Sequence, residues 1–333
     1  MARKILTLSA LLGASALALA GCASTPGGDA TGDPDAVQVV ASTSVYGDIV
    51  SAIAGDAVEV TSIVSSTSQD PHSYEASAGD QLTISRADLI VENGGGYDSF
   101  VDALVEATGT DAHVLTAAEF SHDWPGGEGH DHAGEDDHDH AEEDDHAEGD
   151  EHAGHDHVEG FNEHVWYDPH TMEHLAEAIA EELTELVPSS AADFEAGLAA
   201  FVSDIGGLEA SLAEISAAHE GDKVFVTEPV PLYLTAAAGL DNVTPEAFSE
   251  AVEEGQDVPP ATLLEATKIL DAGDVSAVIA NAQTGGAETT QVIQTAEAAG
   301  IPVIEFTEIL PEGRTYSEWM ADNIAALAEA LAS

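Results

Sequence analysis

Cysteine and basic residues are almost missing from this 333-residue chain. Cys22 is its single cysteine, so neither an intrachain disulfide nor a thiolate zinc site can form. Lys and Arg total 6 against 64 Asp and Glu, a formal charge of -58. Such a surface repels polyphosphates and anionic lipid, which excludes nucleic acid as a partner and favours cations, metal ions among them. Adaptation to high salt explains the global charge equally well, but it does not explain clustered histidine. No Gly-Lys pair occurs, so there is no Walker A phosphate loop and the chain cannot power transport itself. Aromatic residues make up only 5%, yet a hydrophobic content of 44% is enough for one large or two ordinary cored domains.

Residues 1–22 carry Arg3 and Lys4 and then an apolar run from Ile5 to Ala20, short and rich in small residues for a membrane span. The run ends in Leu19-Ala20-Gly21-Cys22, which resembles a bacterial lipoprotein signal whose cleavage leaves Cys22 as the lipidated first residue. Residues 23–35, "ASTPGGDATGDPD", have no hydrophobic period and read as a flexible linker.

From residue 36 onward, β-branched runs alternate with helical patterns. Strands are expected at Val37 to Ala41, Ala57 to Val64, Asp88 to Glu92 and Ala112 to Leu115, with helices around Val45 to Ala54, Asp80 to Arg86 and Ser99 to Thr108. The pattern breaks over residues 118–163, which hold little that is apolar. A helical stretch then starts at Pro169. After Pro188 comes a helix from Ala191 to Ala218 with Phe194, Leu198, Phe201, Ile205, Leu208, Leu212 and Ile215 in three-and-four spacing, and Ser189 or Ser190 is placed to cap it. Strand–helix alternation returns with strands at Lys223 to Thr227, near Asn242 to Thr244, at Val275 to Ala280 and at Pro302 to Thr307, and no short-period repeat is evident. The expected fold class is therefore α/β: two lobes, each with a roughly four-stranded parallel sheet flanked by helices, joined by one long rigid helix. The lobes fall at 36–188 and 221–333, with the connecting helix at 189–220.

Ligands of open parallel sheets bind beyond the carboxyl ends of the strands. In this chain those positions hold His72 after the second strand, His164 after the fourth, Glu228 after the fifth and "NAQT" after the seventh. Two imidazoles, a carboxylate and an amide suit an intermediate divalent cation such as zinc or manganese. His72 also reads as a turn residue, His164 as a helix cap, and Glu228 as an acid at a helix N-terminus, although Asp168 before Pro169 is the better cap. His170 and His174 share a helix face and read as exposed residues or an auxiliary metal site. Gly94 to Gly96 follow a strand without a dinucleotide fingerprint and read as a tight loop near the cleft.

The motifs "DPHSYEAS" with Asp80, "HVWYDP", "VTEPVPLYLTAAAGL", "AGIPVIEFTEILPEG" and "YSEWMADNI", in this order, resemble the zinc and manganese substrate-binding proteins of ABC transporters, a family that includes lipoproteins once called adhesins. The likeness covers nearly the whole chain outside the linker and the acidic loop. It implies that His72 and His164 are metal ligands and that Glu228 is the third. Histidine at the third place is common in zinc binders of the family and Glu in manganese binders. For the fourth ligand the resemblance implies an acidic residue after a later strand. "VIANAQTGGAE" offers none before Glu288, so Gln283 is taken for that corner, with Asn281, Glu288 or a water as alternatives.

Between Glu128 and Glu159 lie eight histidines, His130, His132, His138, His140, His146, His152, His155 and His157, and fifteen acidic residues. A chain without a fold must lose about 1 to 2 kcal/mol of backbone entropy per residue it orders around a metal. This loop is therefore expected to collect ions weakly beside a stronger preformed site, or to add only charge. Family zinc binders often have such a loop in this place, which points to Zn2+ as transported cargo, with Mn2+ as the alternative. The expectation is a lipid-anchored, monomeric protein on the outer face of the cell membrane, working with an ABC permease and a separate ATPase subunit, and moving its lobes little on binding. A surface adhesin with structural metal, and more remotely a zinc hydrolase, are the other classes considered.

Overall fold

The computed structural model describes residues 36–125, 158 and 160–333. Cys22, the linker and the loop histidines from His130 to His157 lie outside the described residues.

The chain starts with β1 (Gln38–Thr43), α1 (Ser44–Ala54), β2 (Glu59–Val64), α2 (Ala78–Ile84), β3 (Leu89–Glu92), α3 (Phe100–Thr108) and β4 (His113–Thr116). The four strands form a parallel sheet in the order β2-β1-β3-β4, with Val39 opposite both Val60 and Leu89. All four residues of β3 are buried, as expected for a central strand covered on both faces. After the 118–163 interval come α4 (Pro169–Leu186) and α5 (Ala191–His219). The second lobe contains β5 (Lys223–Val226), α6 (Leu232–Ala237), β6 (Asp241–Asn242), α7 (Glu246–Glu253), α8 (Pro260–Asp271), β7 (Val275–Asn281), α9 (Ala287–Ala299), β8 (Val303–Phe306) and α10 (Tyr316–Leu331). Its parallel sheet has the order β6-β5-β7-β8, the same winding as the first. Strand order therefore reverses between β1 and β3 and between β5 and β7, which opens a crevice at the carboxyl end of each sheet.

The connecting helix α5 has 29 residues, about 43 Å at roughly 1.5 Å per residue. Six of its seven expected apolar positions are buried, and Leu198 packs partly buried against the same core. Ser190 stands at the N-cap, but its side chain makes no capping bond, because the chain enters α5 from a 3₁₀ turn over Pro188–Ser190. By contrast Asp168 caps α4, accepting from the backbone N–H of His170 at 3.1 Å and from the Thr171 hydroxyl at 2.6 Å.

Two elements tie the lobes, where sequence reading offered only α5. The last helix, α10, returns to the first lobe: the Tyr316 N–H donates to Asp48 Oδ2 of α1 at 2.7 Å, and the Tyr316 hydroxyl donates to the Trp166 carbonyl at 2.8 Å. One hydrophobic core accordingly runs through Ile49 of α1, Ile205 of α5 and Leu327 of α10. The close approach of α1 to α5 depends on Gly197, where a Cβ would lie 2.4 Å from the Ile53 carbonyl oxygen. Gly197→Ala is expected to push the helices apart and cost about 1–3 kcal/mol, read as a lower urea midpoint at unchanged m-value.

Candidate metal centre

His72 is set by a short turn after β2. Asp70 Oδ1 accepts the His72 N–H at 2.9 Å, and Asp70 Oδ2 accepts the Ser73 hydroxyl at 2.7 Å. Gly94, Gly95 and Gly96 take φ values of 75°, 68° and 102°, a turn that favours glycine. Asp98 braces this turn by accepting the N–H of Asn93 and of Gly94 at 2.7 and 2.8 Å. The turn carries the Tyr97 ring to the edge of His72, with centroids 4.8 Å apart.

His164 is held by Asn162. The Asn162 Oδ1 accepts from the His164 backbone N–H at 3.2 Å and from the ring Nδ1 at 2.8 Å, while its Nδ2 donates to the Pro229 carbonyl at 3.2 Å. These contacts fix the amide orientation, so Nδ1 carries a ring proton and Nε2 is the ring atom able to bind a metal. A partner that orients an imidazole in this way is the usual support of a metal-binding histidine. Nε2 lies 3.7 Å from Glu253 Oε1, and the ring is 5.9 Å from that of His72 between centroids.

The second lobe brings carboxylates. Thr227-Glu228 follows β5, and Thr307-Glu308 follows β8 in the same relation to its strand. Glu308 Oε2 is 3.9 Å from His72 Nε2, and Glu163 Oε1 is 3.9 Å from His72 Nδ1. Donor atoms of His72, His164 and Glu308 all lie within 4.8 Å of one another, as do those of His72, Glu163 and Glu253. Ligands about 2.0–2.2 Å from a tetrahedral ion sit roughly 3.3–3.6 Å apart. Side-chain movements of about an ångström bring either group to that spacing.

Four carboxylates thus meet two imidazoles, with Glu163, Glu228 and Glu308 buried and Glu253 nearly so. Burial, then the Glu228 charge, pushes Glu308 up to about 8. Burial, then the charges of Glu163, Glu228 and Glu308, pushes Glu253 up to about 9. Glu228 is raised mainly by burial, against hydrogen bonds from Thr284 and Asn281 that lower it. Lys223 and Arg314 pair elsewhere, with Asp274 and Asp322. Such a set must take up protons or a cation, since like charges at this spacing cannot all ionise alone.

The expected residues fare differently. His72 and His164 converge. Glu228 lies beside them, but its oxygens accept from Thr284 Oγ1 and from Asn281 Nδ2, the latter at 2.8 Å, and it is outside both tight donor groups. Gln283 is engaged elsewhere in this structure: its Oε1 accepts the N–H groups of Glu308 and Ile309, each at 2.8 Å, which occupies both lone pairs and holds the Glu308 turn in place. Asn281 bridges the acids, donating to Glu228 Oε2 at 2.8 Å and to Glu308 Oε1 at 2.6 Å. Glu288 sits on the wall of a cavity of about 570 Å³ that leads to His72, together with Asp70, Glu254 and Asp257.

Sequence reading missed Glu308, Glu163 and Glu253. For Glu308 the signal was present, because Thr-Glu closes β8 just as it closes β5. Glu253 had no comparable signal: it ends α7, an eight-residue helix that was not anticipated.

The profile of the family ZnuA, described as zinc-uptake complex component A, periplasmic, matches residues 39–330. The manganese-binding lipoprotein MntA of Halalkalibacterium halodurans is 26% identical over 266 residues, covering 76% of this chain and 78% of that protein. The iron ABC transporter substrate-binding lipoprotein MtsA of Streptococcus pyogenes serotype M1 is 27% identical over 282 residues, covering 77% and 80%. The periplasmic zinc binding protein TroA from Treponema pallidum superposes with a TM-score of 0.66 over 89% of this chain and 99% of that chain, at 19% identity, so it has the same fold. A profile match over most of the chain, and two like-wound lobes meeting at a cluster of imidazoles and carboxylates, lead to one conclusion: this chain belongs to the ZnuA family of metal ABC-transporter substrate-binding proteins, which carry a divalent metal and are not enzymes.

Proposed function

We infer that the chain captures Zn2+ in the cleft between its lobes and delivers it to an ABC permease driven by a separate ATPase. The observation that carries metal capture is the convergence of His72, His164 and Glu308 donor atoms within 4.8 Å in a buried cleft. Glu228 joins them through a small rearrangement of its carboxylate, and Asn281 and Gln283 act as supports. Zinc is favoured by the eight histidines between Glu128 and Glu159, since imidazole nitrogen suits that ion. Manganese is the second reading, favoured by Glu228 at the third corner, since carboxylate oxygen suits the harder ion. The names of the lipoprotein relatives and the Leu19-Ala20-Gly21-Cys22 sequence support anchoring through Cys22 on the outer face of the membrane. Ties through both α5 and α10 favour capture by side-chain rearrangement over wide hinge motion.

Affinity alone does not identify the cargo, because zinc outcompetes manganese at almost any N/O donor set. Uptake does. Cells lacking the gene are expected to lose zinc accumulation and to recover it with the wild-type gene or with a deletion of residues 128–159, but not with His72→Ala. Restoration of manganese uptake alone transfers the reading to manganese. Full rescue by His72→Ala overturns the cleft site.

A further inference from the structure

The geometry points to a second metal site, on the outer face of the α4–α5 hairpin, built from His170, Glu173 and His174 of α4 and Glu209 of α5. It takes a borderline divalent ion of the zinc, cobalt or nickel type. The two ring Nε2 atoms face each other at 3.3 Å, with centroids 4.7 Å apart and planes at 77°. Two nitrogens each about 2.0–2.1 Å from one tetrahedral zinc ion are roughly 3.3–3.4 Å apart. The rings are thus already at the spacing of a chelating pair.

The other ring nitrogens strengthen the case. His170 Nδ1 faces Glu209 Oε1 at 3.8 Å, and His174 Nδ1 faces Glu177 Oε2 at 3.4 Å. A carboxylate behind each Nδ1 favours the tautomer with its proton there and leaves both Nε2 lone pairs directed at the same space, the carboxylate–histidine–metal arrangement. Two lone pairs held that close repel unless a proton or a cation lies between them. Glu173 and Glu209 gather negative charge at His170, with a donor atom of each within 4.8 Å of one His170 ring nitrogen and of each other; Glu209 stays behind Nδ1, and Glu173 and water are left to complete the ion's shell.

Two imidazoliums at 3.3 Å repel, so without a metal the approach of the two Nε2 atoms is a hydrogen bond in which one ring donates and the other accepts, and a bound ion takes the place of that shared proton. Neither α4 nor α5 contains Lys or Arg, so no fixed side-chain cation on these helices balances the acids. The i,i+4 placement of the histidines comes from the helix, and the antiparallel packing of α5 on α4 brings in Glu209. His170 is half exposed, at 50%, and Glu209 is 45% exposed, so the site opens to solvent, apart from the buried cleft, and keeps positions for water.

Carbethoxylation of histidine, mapped by mass spectrometry on the full chain with zinc alone as the probe, tests this site without interference from the other histidines. Zinc is expected to abolish modification of His170 and His174 together and to leave His219, which pairs singly with Asp222, as reactive as before. His174→Ala is expected to remove the zinc protection of His170, and His72→Ala, which disables the cleft, is expected to preserve it. Equal modification of His170 with and without zinc overturns the site. So does protection of His170 that persists in His174→Ala or disappears in His72→Ala.

Discussion

Glu308→Gln is expected to weaken metal binding by about two to three orders of magnitude while making the metal-free protein more stable above neutral pH. The first effect follows from the energy of a four-ligand site, about 10–16 kcal/mol in small zinc domains, or roughly 2.5–4 kcal/mol per ligand, at about 1.4 kcal/mol per decade. The second follows from burial: Glu308 is 3% exposed and pushed up to about 8, so its ionised form opposes folding. Glutamine keeps the volume and can still accept the 2.6 Å bond from Asn281, but it carries no charge. Opposite signs in binding and stability are characteristic of a ligand held in place against its own repulsion. Gln283→Ala separates ligand from support. Losing the acceptor that fixes the Glu308 and Ile309 N–H groups is expected to cost about 10- to 100-fold in affinity, as for other groups that position a ligand. Competition against a chromophoric chelator measures both variants. If Gln283→Ala proves as severe as a ligand loss and Glu308→Gln is silent, Gln283 regains the fourth corner.

The metal-free chain is expected to lose stability steadily as pH rises from about 5 to 9, and bound metal is expected to remove most of that loss. Glu92 and Glu308 are pushed from 4.5 up to about 8, and Glu253 to about 9, each mainly by burial. A raised carboxylate binds its proton in the folded state at a pH where the unfolded chain has released it. Stability from that proton is complete below the unfolded value and disappears as pH passes the folded value. The window therefore runs from 4.5 to about 9. A tenfold gain in proton affinity on folding corresponds to about 1.36 kcal/mol, and because the carboxylates influence one another their joint effect is on the order of several kcal/mol rather than the sum. A metal ion replaces the protons on Glu253 and Glu308, so zinc binding at pH 7 should release protons, seen as a buffer-dependent heat. Calorimetric unfolding at pH 5, 7 and 9 checks the slope with and without zinc. Glu92 is raised next by Asp98 and Asp102, and its residual slope is expected to survive metal loading and to vanish in Glu92→Gln. A flat profile for the metal-free chain would contradict the buried-acid account.

Much of this architecture was legible without coordinates, because it rests on local periodicity. Alternating short β-branched runs and helical stripes specify two parallel sheets, and the three-and-four spacing from Phe194 to Ile215 specifies the buried face of α5. His72 and His164 were found because they follow strands, and side chains beyond parallel strand ends face a common crevice. The same rule applied to the end of β7 gave the "NAQT" stretch, from which the resemblance led to Gln283, and Glu308 was passed over, although Thr307-Glu308 repeats the Thr227-Glu228 pattern.

The arrangement at that corner has a physical cause. Which polar side chain enters the cleft depends on where each strand stops and on which backbone N–H groups remain without partners. β7 runs through Asn281, so Asn281 reaches the acids, and Gln283 turns to the backbone that β8 leaves behind. Glu253 reaches His164 only because α7 packs beside β5, with Phe248 against Phe225 at 5.4 Å. By itself the sequence determined most of the elements, their parallel alternation in two lobes and the two candidate histidines, since those follow from local pattern and strand ends. Only the tertiary structure decided which acids surround them, because that choice depends on burial and on hydrogen bonds between segments distant in the chain.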